Sequence, residues 1–386
     1  MKVVMFMNSY IDGISGGDMW ALEVCKRLVR NGVEIEIVTS ELGTKNFSKF
    51  LPENIKYNIT TYERNPFKNF VGILWLYLNR IIRGISLDLK TKNNDILFAT
   101  SNFLPDIIPI IFKKGRKAMI LHMIPPNPLY GYRGQFIGKI NLKDFVRVAF
   151  YYINHIVSLI LFRIFGDYLF VLPTTIDSAM KFGFHRDKVY VTLNGLDLDL
   201  INKIPSQQKE YDSCWLGRVH PQKGIDDLIE IWKKVVKEIP NAKLVIIGDV
   251  PDKYSEIIKK KGISKNIILK GFVFGKEKYE LMKKSILFIY PSYYESFPIT
   301  ILEALACGLP ILVYDLPVYR KVYGNILITA PIGDKDMFAK EIINLLNNTS
   351  EREKISKKAK CIVQRYSWDI IADKFWRAIN ENNKYD

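Results

Sequence analysis

The chain opens on an apolar run, Lys2-Val3-Val4-Met5-Phe6-Met7, and breaks at Asn8. So short and apolar a run predicts a strand buried on both faces. Met19–Asn31 follows with apolar residues at helical spacing and stops at Gly32, a common helix terminator. Glu34–Thr39, Asp95–Ala99, Ala118–His122, Tyr168–Leu172 and Val189–Thr192 are further runs of strand length. Strands alternating with helices predict a parallel, doubly wound α/β sheet. The pattern restarts after the polar stretch Ile204–Glu210, which reads as a linker. Strands are predicted at Ser213–Leu216, Lys243–Ile247, Asn266–Leu269, Leu287–Tyr290 and Pro310–Val313, and helices at Gly224–Glu238 and Ile299–Cys307. Residues from Lys335 to Asn380 read as largely helical. A chain of 386 residues suits two such domains, because one compact core of that size would normally split. The boundary is placed between 203 and 204, giving domains 1–203 and 204–386.

Composition narrows the class. With 48% hydrophobic and 25% charged residues, disorder and low complexity are excluded. The four cysteines, at 25, 214, 307 and 361, form no C-x-x-C pair, which argues against a disulfide framework or a zinc site. The N-terminal run lacks the length and cleavage site of a signal peptide, so a cytoplasmic protein is expected. The apolar run Val148–Phe162 lies between Arg147 and Arg163 and contains Asn154, His155 and Ser158. It falls short of the roughly 20 apolar residues needed to span a bilayer, so no transmembrane helix is predicted. A second run, Val71–Ile82, is shorter.

The net charge of +16 fits nucleic acid, an anionic membrane surface or an anionic small substrate. Residues 1–170 hold 22 lysines and arginines against 13 aspartates and glutamates, together with both apolar runs. That combination suits peripheral binding to an anionic membrane. The competing interpretation makes 148–162 a buried core helix. Nucleic acid is disfavoured, since no recognition motif accompanies the charge.

Four segments sit where ligands bind in open parallel sheets, at the carboxyl ends of strands. Ser15-Gly16-Gly17-Asp18 joins the first strand to the first helix. Its glycines permit close backbone approach, and the helix start offers N–H groups to an anion. It departs from G-x-G-x-x-G, which disfavours a nicotinamide cofactor. Gly217-Arg218-Val219-His220-Pro221-Gln222-Lys223-Gly224 follows the first strand of the second half. Two cations beside a helix N-terminus oppose the helix dipole, and a bound diphosphate would reconcile them. The third segment runs from Pro291 to Pro310 and carries Glu295 in a loop and Glu303 in a helix. Eight residues of helix would hold these carboxylates roughly 12 Å apart. A retaining hydrolase needs about 5 Å, so two separate binding tasks are expected. The fourth is His122, ending Ala118–Leu121 ahead of Pro125-Pro126. A lone histidine there could equally be structural.

Together these segments resemble glycosyltransferase family 4, of the GT-B fold. Glu295 and Glu303 match its Glu-x7-Glu motif, and Gly217-Arg218 with Lys223-Gly224 its Gly-Arg…Lys-Gly loop. Asn194-Gly195-Leu196-Asp197, Gly16-Gly17 and His122 match further positions. The resemblance implies two Rossmann-like domains facing a central cleft, with the last helix, about 367–382, crossing back to the first domain. It implies a retaining hexosyltransferase that uses a UDP- or GDP-sugar, needs no metal and has no other cofactor. Its acceptor would be a glycan or lipid-linked sugar. Arg218 and Lys223 would hold the leaving diphosphate, Glu295 the sugar hydroxyls and Glu303 the ribose. Phe297, Pro298, Ile299 and Thr300 would touch phosphates and sugar through backbone N–H groups. Phe272 and Val273 would border the base. Gly217 and Gly17 would allow close approach, and His122 would contact the transferred sugar or the acceptor. Asp315–Lys321 and Pro298 depart from the family pattern, which leaves the donor sugar open. A silent sugar-nucleotide binder, an epimerase or a phosphorylase are the alternatives.

Overall fold

A computed structural model describes residues 1–8, 14–62, 70–122 and 142–380, with side chains from 145 onward in the last segment. The chain divides into two compact units, one built from residues 1–194 and from Trp368 onward, the other from Gly195–Ser367. The first holds a parallel sheet of β1 (Lys2–Phe6), β2 (Glu34–Thr39), β3 (Lys56–Ile59), β4 (Ile96–Ala99), β5 (Arg116–Leu121), β6 (Tyr168–Val171) and β7 (Val189–Val191), ordered β3-β2-β1-β4-β5-β6-β7. The second holds β8 (Tyr211–Leu216), β9 (Leu244–Ile247), β10 (Ile267–Leu269), β11 (Ser285–Tyr290), β12 (Ile311–Tyr314) and β13 (Ile328–Ala330), ordered β10-β9-β8-β11-β12-β13. Val3–Phe6 of β1 and all of β4 are apolar and buried, as strands covered on both faces must be. β3 and β13, which the sequence pattern does not predict, are short edge strands of four and three residues, each carrying polar residues that are not buried.

Each sheet has a switch point, where chain order reverses beside β1 and beside β8. Crevices open at the carboxyl ends there. In the first unit that places Asn8, the 100–103 loop and residue 122 together; in the second, the loops after Leu216 and Tyr290. Helix α1 (Gly16–Arg30) is started by a capping box. The Ser15 hydroxyl accepts from the Asp18 N–H at 3.2 Å, and the Asp18 carboxylate accepts from the Ser15 N–H at 2.8 Å. Trp20 of α1 packs against Phe98 and Phe375. Phe375 belongs to the last described helix, Trp368–Asn380, whose apolar face fills the first unit's core. Helix Leu198–Lys203, read from sequence with the first domain, lies in the second unit. There Lys283 donates to the carbonyls of Ile201 and Ile204.

Two helices differ from the sequence expectation in a way that bears on function. Helix α2 (Phe70–Ser86) and helix α3 (Leu142–Phe165) meet through aromatic rings, Phe70 and Tyr77 being in edge contact with Phe150. The expectation that no segment is long and apolar enough to span a membrane is corrected. Phe145–Phe165 reaches 21 residues with mean hydropathy 1.6, by length and composition enough to cross. Arg147 and Arg163 bound the apolar run in the sequence, and the helix continues through both.

Candidate functional site

In the second unit, β8 ends at Leu216 and the chain passes through Gly217, an exposed Arg218 and a short turn, Pro221–Lys223. Gly224 then caps the next helix in a left-handed conformation, φ +67°. A Cβ at Gly224 would lie 1.9 Å from the Pro291 carbonyl oxygen, so only glycine lets this loop press onto the segment after β11. The two loops are stitched together. The Tyr293 N–H donates to the Gln222 carbonyl at 2.8 Å, with Ser292 Oγ 3.1 Å from the same oxygen, and the Gln222 side chain donates to the Tyr294 carbonyl. Tyr293 and Tyr314 both donate to the buried Asp227 carboxylate.

This scaffold brings Lys223 and Glu295 into contact. The Lys223 ammonium lies 2.6 Å from Glu295 Oε1 and 5.5 Å from the centre of the Tyr290 ring. Ser292 Oγ donates to the same carboxylate oxygen at 2.6 Å. Behind Glu295 the helix Ile299–Ala306 starts, capped by Pro298. Pro298 has no N–H, so it cannot donate to a ligand as the sequence expectation supposed. The Ile301 N–H is taken by the Pro298 carbonyl at 3.1 Å. First-turn amides of a helix lack intrahelical acceptors, which leaves Ile299 and Thr300 as the donors there. Phe297 turns its ring inward, buried against Tyr323 and Tyr366, so its ring is not presented to a ligand.

Glu303 has separate partners. It is buried, and it accepts from the Lys278 ammonium and from the Tyr279 hydroxyl at 3.0 Å. Burial and the Glu303 charge push the Tyr279 hydroxyl well up from its ordinary value. Only Ile299–Ala306 is helical, so the helix-rise estimate for the Glu295–Glu303 separation does not apply. The two carboxylates have different partners, Lys223 and Ser292 for Glu295, Lys278 and Tyr279 for Glu303. Lys278, Tyr279, Ser292 and Gln222 were not read from the sequence; the one local signal was Ser292, three residues ahead of Glu295. Phe272 stands 78% exposed and pairs with the equally exposed Phe274, ring centres 6.1 Å apart, with Val273 half-buried between them.

In the first unit, His122 ends β5 beside Gly17. A Cβ on Gly17 would stand 3.0 Å from His122 Cδ2 and 3.1 Å from Nε2, so a larger residue would crowd the imidazole. His122 hydrogen-bonds the Thr100 backbone, while its buried Nε2 has no partner. Nδ1–H is therefore the donor to the Thr100 carbonyl, and Nε2 presents a lone pair. Burial pushes the imidazole down to about 4, so it is uncharged at neutral pH. At the Gly-Gly turn, Asp18 and Ser15 occupy part of the helix start, leaving Gly16 and Gly17 N–H groups for a ligand. Among the described residues, no group of three or more His, Cys, Asp or Glu side chains is gathered as a metal ion would require.

Residues 198–361 match the family described as Glycosyl transferases group 1. The chain is similar to an uncharacterized glycosyltransferase of Methanocaldococcus jannaschii, 25% identical over 398 residues and 96% of each chain. It is 27% identical over 276 residues to the alpha-galactosylglucosyldiacylglycerol synthase of Streptococcus pneumoniae, covering 66% of this chain and 68% of that one. The crystal structure of Anabaena HepE in complex with UDP and glucose superposes with a TM-score of 0.71 at 16% identity, over 98% of this chain and 99% of that one. Likeness at that identity bears on the fold, which is GT-B. The family match fills nearly all of the second unit and takes in Arg218, Lys223, Glu295 and Glu303, so the likeness to the glycosyl transferases group 1 rests on that unit.

Proposed function

We propose that this glycosyltransferase moves a hexose from a UDP- or GDP-sugar to an acceptor hydroxyl with retention of configuration and without a metal. The observation that carries this assignment is the Lys223–Glu295 contact, held by two stitched loops at the start of a helix. As the glycosidic bond breaks, negative charge builds on the leaving diphosphate. Arg218, Lys223 and the Ile299 and Thr300 amides are fixed donors for that charge, in place before the reaction begins. Glu295, released from part of its bond to Lys223, accepts from sugar hydroxyls, and Glu303 accepts from the ribose. Acceptor attack from the leaving-group face, with the diphosphate oxygen taking the proton, retains the anomer. His122 Nε2, bare and uncharged, accepts from a hydroxyl of the sugar or acceptor.

The acceptor is a glycan or a lipid-linked sugar, met at an anionic membrane surface on the cytoplasmic side. Val71, Leu74, Trp75, Leu78 and Ile82 form one exposed apolar stripe on α2, at helical spacing. Two relatives support a lipid acceptor by name, the diacylglycerol glycolipid synthase of Streptococcus pneumoniae and the alpha-monoglucosyldiacylglycerol synthase of Acholeplasma laidlawii.

The test is a panel of nucleotide sugars, scored for slow hydrolysis and for transfer to glycolipid in mixed vesicles. At least one UDP- or GDP-sugar should be consumed by the wild type and spared by Glu295→Ala. Near-normal turnover in Glu295→Ala and Lys223→Ala would refute the site. Failure to float with anionic vesicles would refute the membrane location.

A further inference from the structure

Helix α3 is built inside out. Its buried face carries Asn154, His155 and Ser158 beside Leu159 and Phe162, while Ile153, Val157, Ile160 and Ile164 are exposed. A helix packed only for stability turns its apolar residues inward. Three of the inward groups, Asn154 Nδ2, His155 Nδ1 and Ser158 Oγ, have no hydrogen-bond partner. A fourth, Asn102 Nδ2, is likewise unpartnered and belongs to the loop after β4. All four side chains are more than nine-tenths buried. Native cores rarely leave such groups unsatisfied, and each instance calls for an explanation.

The loop at 100–104 ties this cluster together and places it beside His122. Asn154 Oδ1 accepts the Leu104 N–H at 3.2 Å, which fixes the carboxamide and leaves its NH2 as the free end. The His155 ring packs 4.8 Å from Phe103. Thr100, two residues before Asn102, is the residue that His122 bonds; two residues of chain span at most about 7 Å. The unused groups are carboxamides, an imidazole and a hydroxyl, all uncharged at neutral pH. Phosphate sites favour the guanidinium fork or an ammonium instead. The opposite face of the same helix is apolar and exposed, and Arg147 and Arg163 flank its length.

We propose that Asn102, Asn154 and His155, with Ser158 one turn further along, form the subsite for the uncharged, hydroxyl-bearing headgroup of a lipid acceptor. It rests on the membrane-facing glycosyltransferase proposed above: one helix meets lipid with its outer face and the headgroup with its inner one.

The experiment is co-sedimentation of the full chain with phosphatidylglycerol–phosphatidylcholine vesicles, with and without a monoglucosyldiacylglycerol. The wild type should bind the glycolipid vesicles about fivefold more tightly, the worth of roughly one net hydrogen bond. His155→Phe, which keeps a ring against Phe103, and Asn102→Ala should each bring that ratio toward one. Thermal unfolding checks that both variants are folded. Trp75→Ser, on the outer stripe of α2, should weaken binding to both vesicles and keep the ratio. A wild-type ratio of one, a ratio that survives in both His155→Phe and Asn102→Ala, or an equal gain from phosphatidic acid would each overturn the subsite. A ratio that behaves as expected, in a protein that consumes no nucleotide sugar, would overturn the proposed reaction and leave the subsite standing.

Discussion

Replacing Lys223 with alanine should destabilise the second unit more than replacing Lys223 and Glu295 together. The Glu295 side chain is 6% exposed, with the Lys223 ammonium at 2.6 Å and the Ser292 hydroxyl at 2.6 Å. Removing the ammonium strands a buried carboxylate on one neutral donor. Breaking a buried ion pair from one side costs about 3–5 kcal/mol. Lys223 is 17% exposed, so water can partly replace it, and Ser292 remains. A loss of about 2–3 kcal/mol is therefore expected for Lys223→Ala. The double variant removes the stranded charge as well and should lose only about 1 kcal/mol, from packing and the Ser292 bond. The two substitutions then couple by about 2 kcal/mol. For a domain of this size, that is a fall in Tm of about 6 °C for the single variant and about 3 °C for the double. Thermal and urea unfolding of the wild type, both single variants and the double variant in one buffer measure it. Transfer should follow a different rule. Each single variant should lose at least about 100-fold, and the double variant should regain none of it. A coupling within about 0.5 kcal/mol of zero, or recovered transfer in the double variant, would refute the assigned contact and its role.

Three further outcomes follow from the geometry. Lys278→Met removes the cation that holds Glu303; the KM for the nucleotide sugar should rise about tenfold, the size of one charge-assisted bond, with a smaller change for a 2′-deoxyribose donor, and equal changes for both donors would count against ribose binding. Gly224→Ala should destabilise by at least about 2 kcal/mol, from left-handed backbone and collision with the Pro291 carbonyl; an unchanged urea midpoint would contradict the stitched loops. His122 and His155 are both pushed by burial from 6.5 down to about 4, so between those values the unfolded chain binds more protons than the folded one. Their contribution is intact above about pH 6.5 and is lost as pH falls toward 4. Asp106, pushed by burial up to about 7, acts in the opposite sense, stabilising at low pH and losing that effect as pH rises through 7. His155→Phe should therefore flatten the loss of stability between pH 7 and pH 5, and an unaltered slope in urea midpoints would show the imidazole to be free to protonate.

What could be read in advance, and what could not, divides by how local the cause is. The central strands of both sheets were legible because burial on both faces leaves continuous apolar runs such as Val3–Met7 and Leu287–Tyr290. β3 and β13 were not, since Lys56-Tyr57-Asn58-Ile59 and Ile328-Thr329-Ala330 are too short and too polar to form such a run. Arg218, Lys223 and Glu295 were legible as loop residues between a strand end and a helix start, and Glu303 as a residue inside the helix that follows. Lys278 and Tyr279 were not, because they reach Glu303 from a different helix, 24 or more positions away in sequence. The boundary near 204 followed the most polar stretch, whereas the units part at Gly195 because Ile201 is buried in the second.

Helix α3 shows most clearly what sequence pattern omits. Its apolar residues suggested a membrane surface and its polar interruptions a short, imperfect span, and a buried core helix was the competing choice. Those alternatives assume that apolar residues point inward and polar ones outward, or that neither does. In the structure the inner face mixes both kinds: Asn154, His155 and Ser158 are buried beside Leu159 and Phe162, while Ile153, Val157, Ile160 and Ile164 are exposed. Hydrophobic periodicity is the same for a helix and for its inside-out counterpart, so no count of spacing could separate them. The helix Leu104–Ile111 and the 100–104 loop, packed against α3, decide which face is inner. A helix so placed leaves unpartnered polar groups where a core would be cheaper to fill with apolar ones, and that cost is sustained most simply by a ligand that satisfies them.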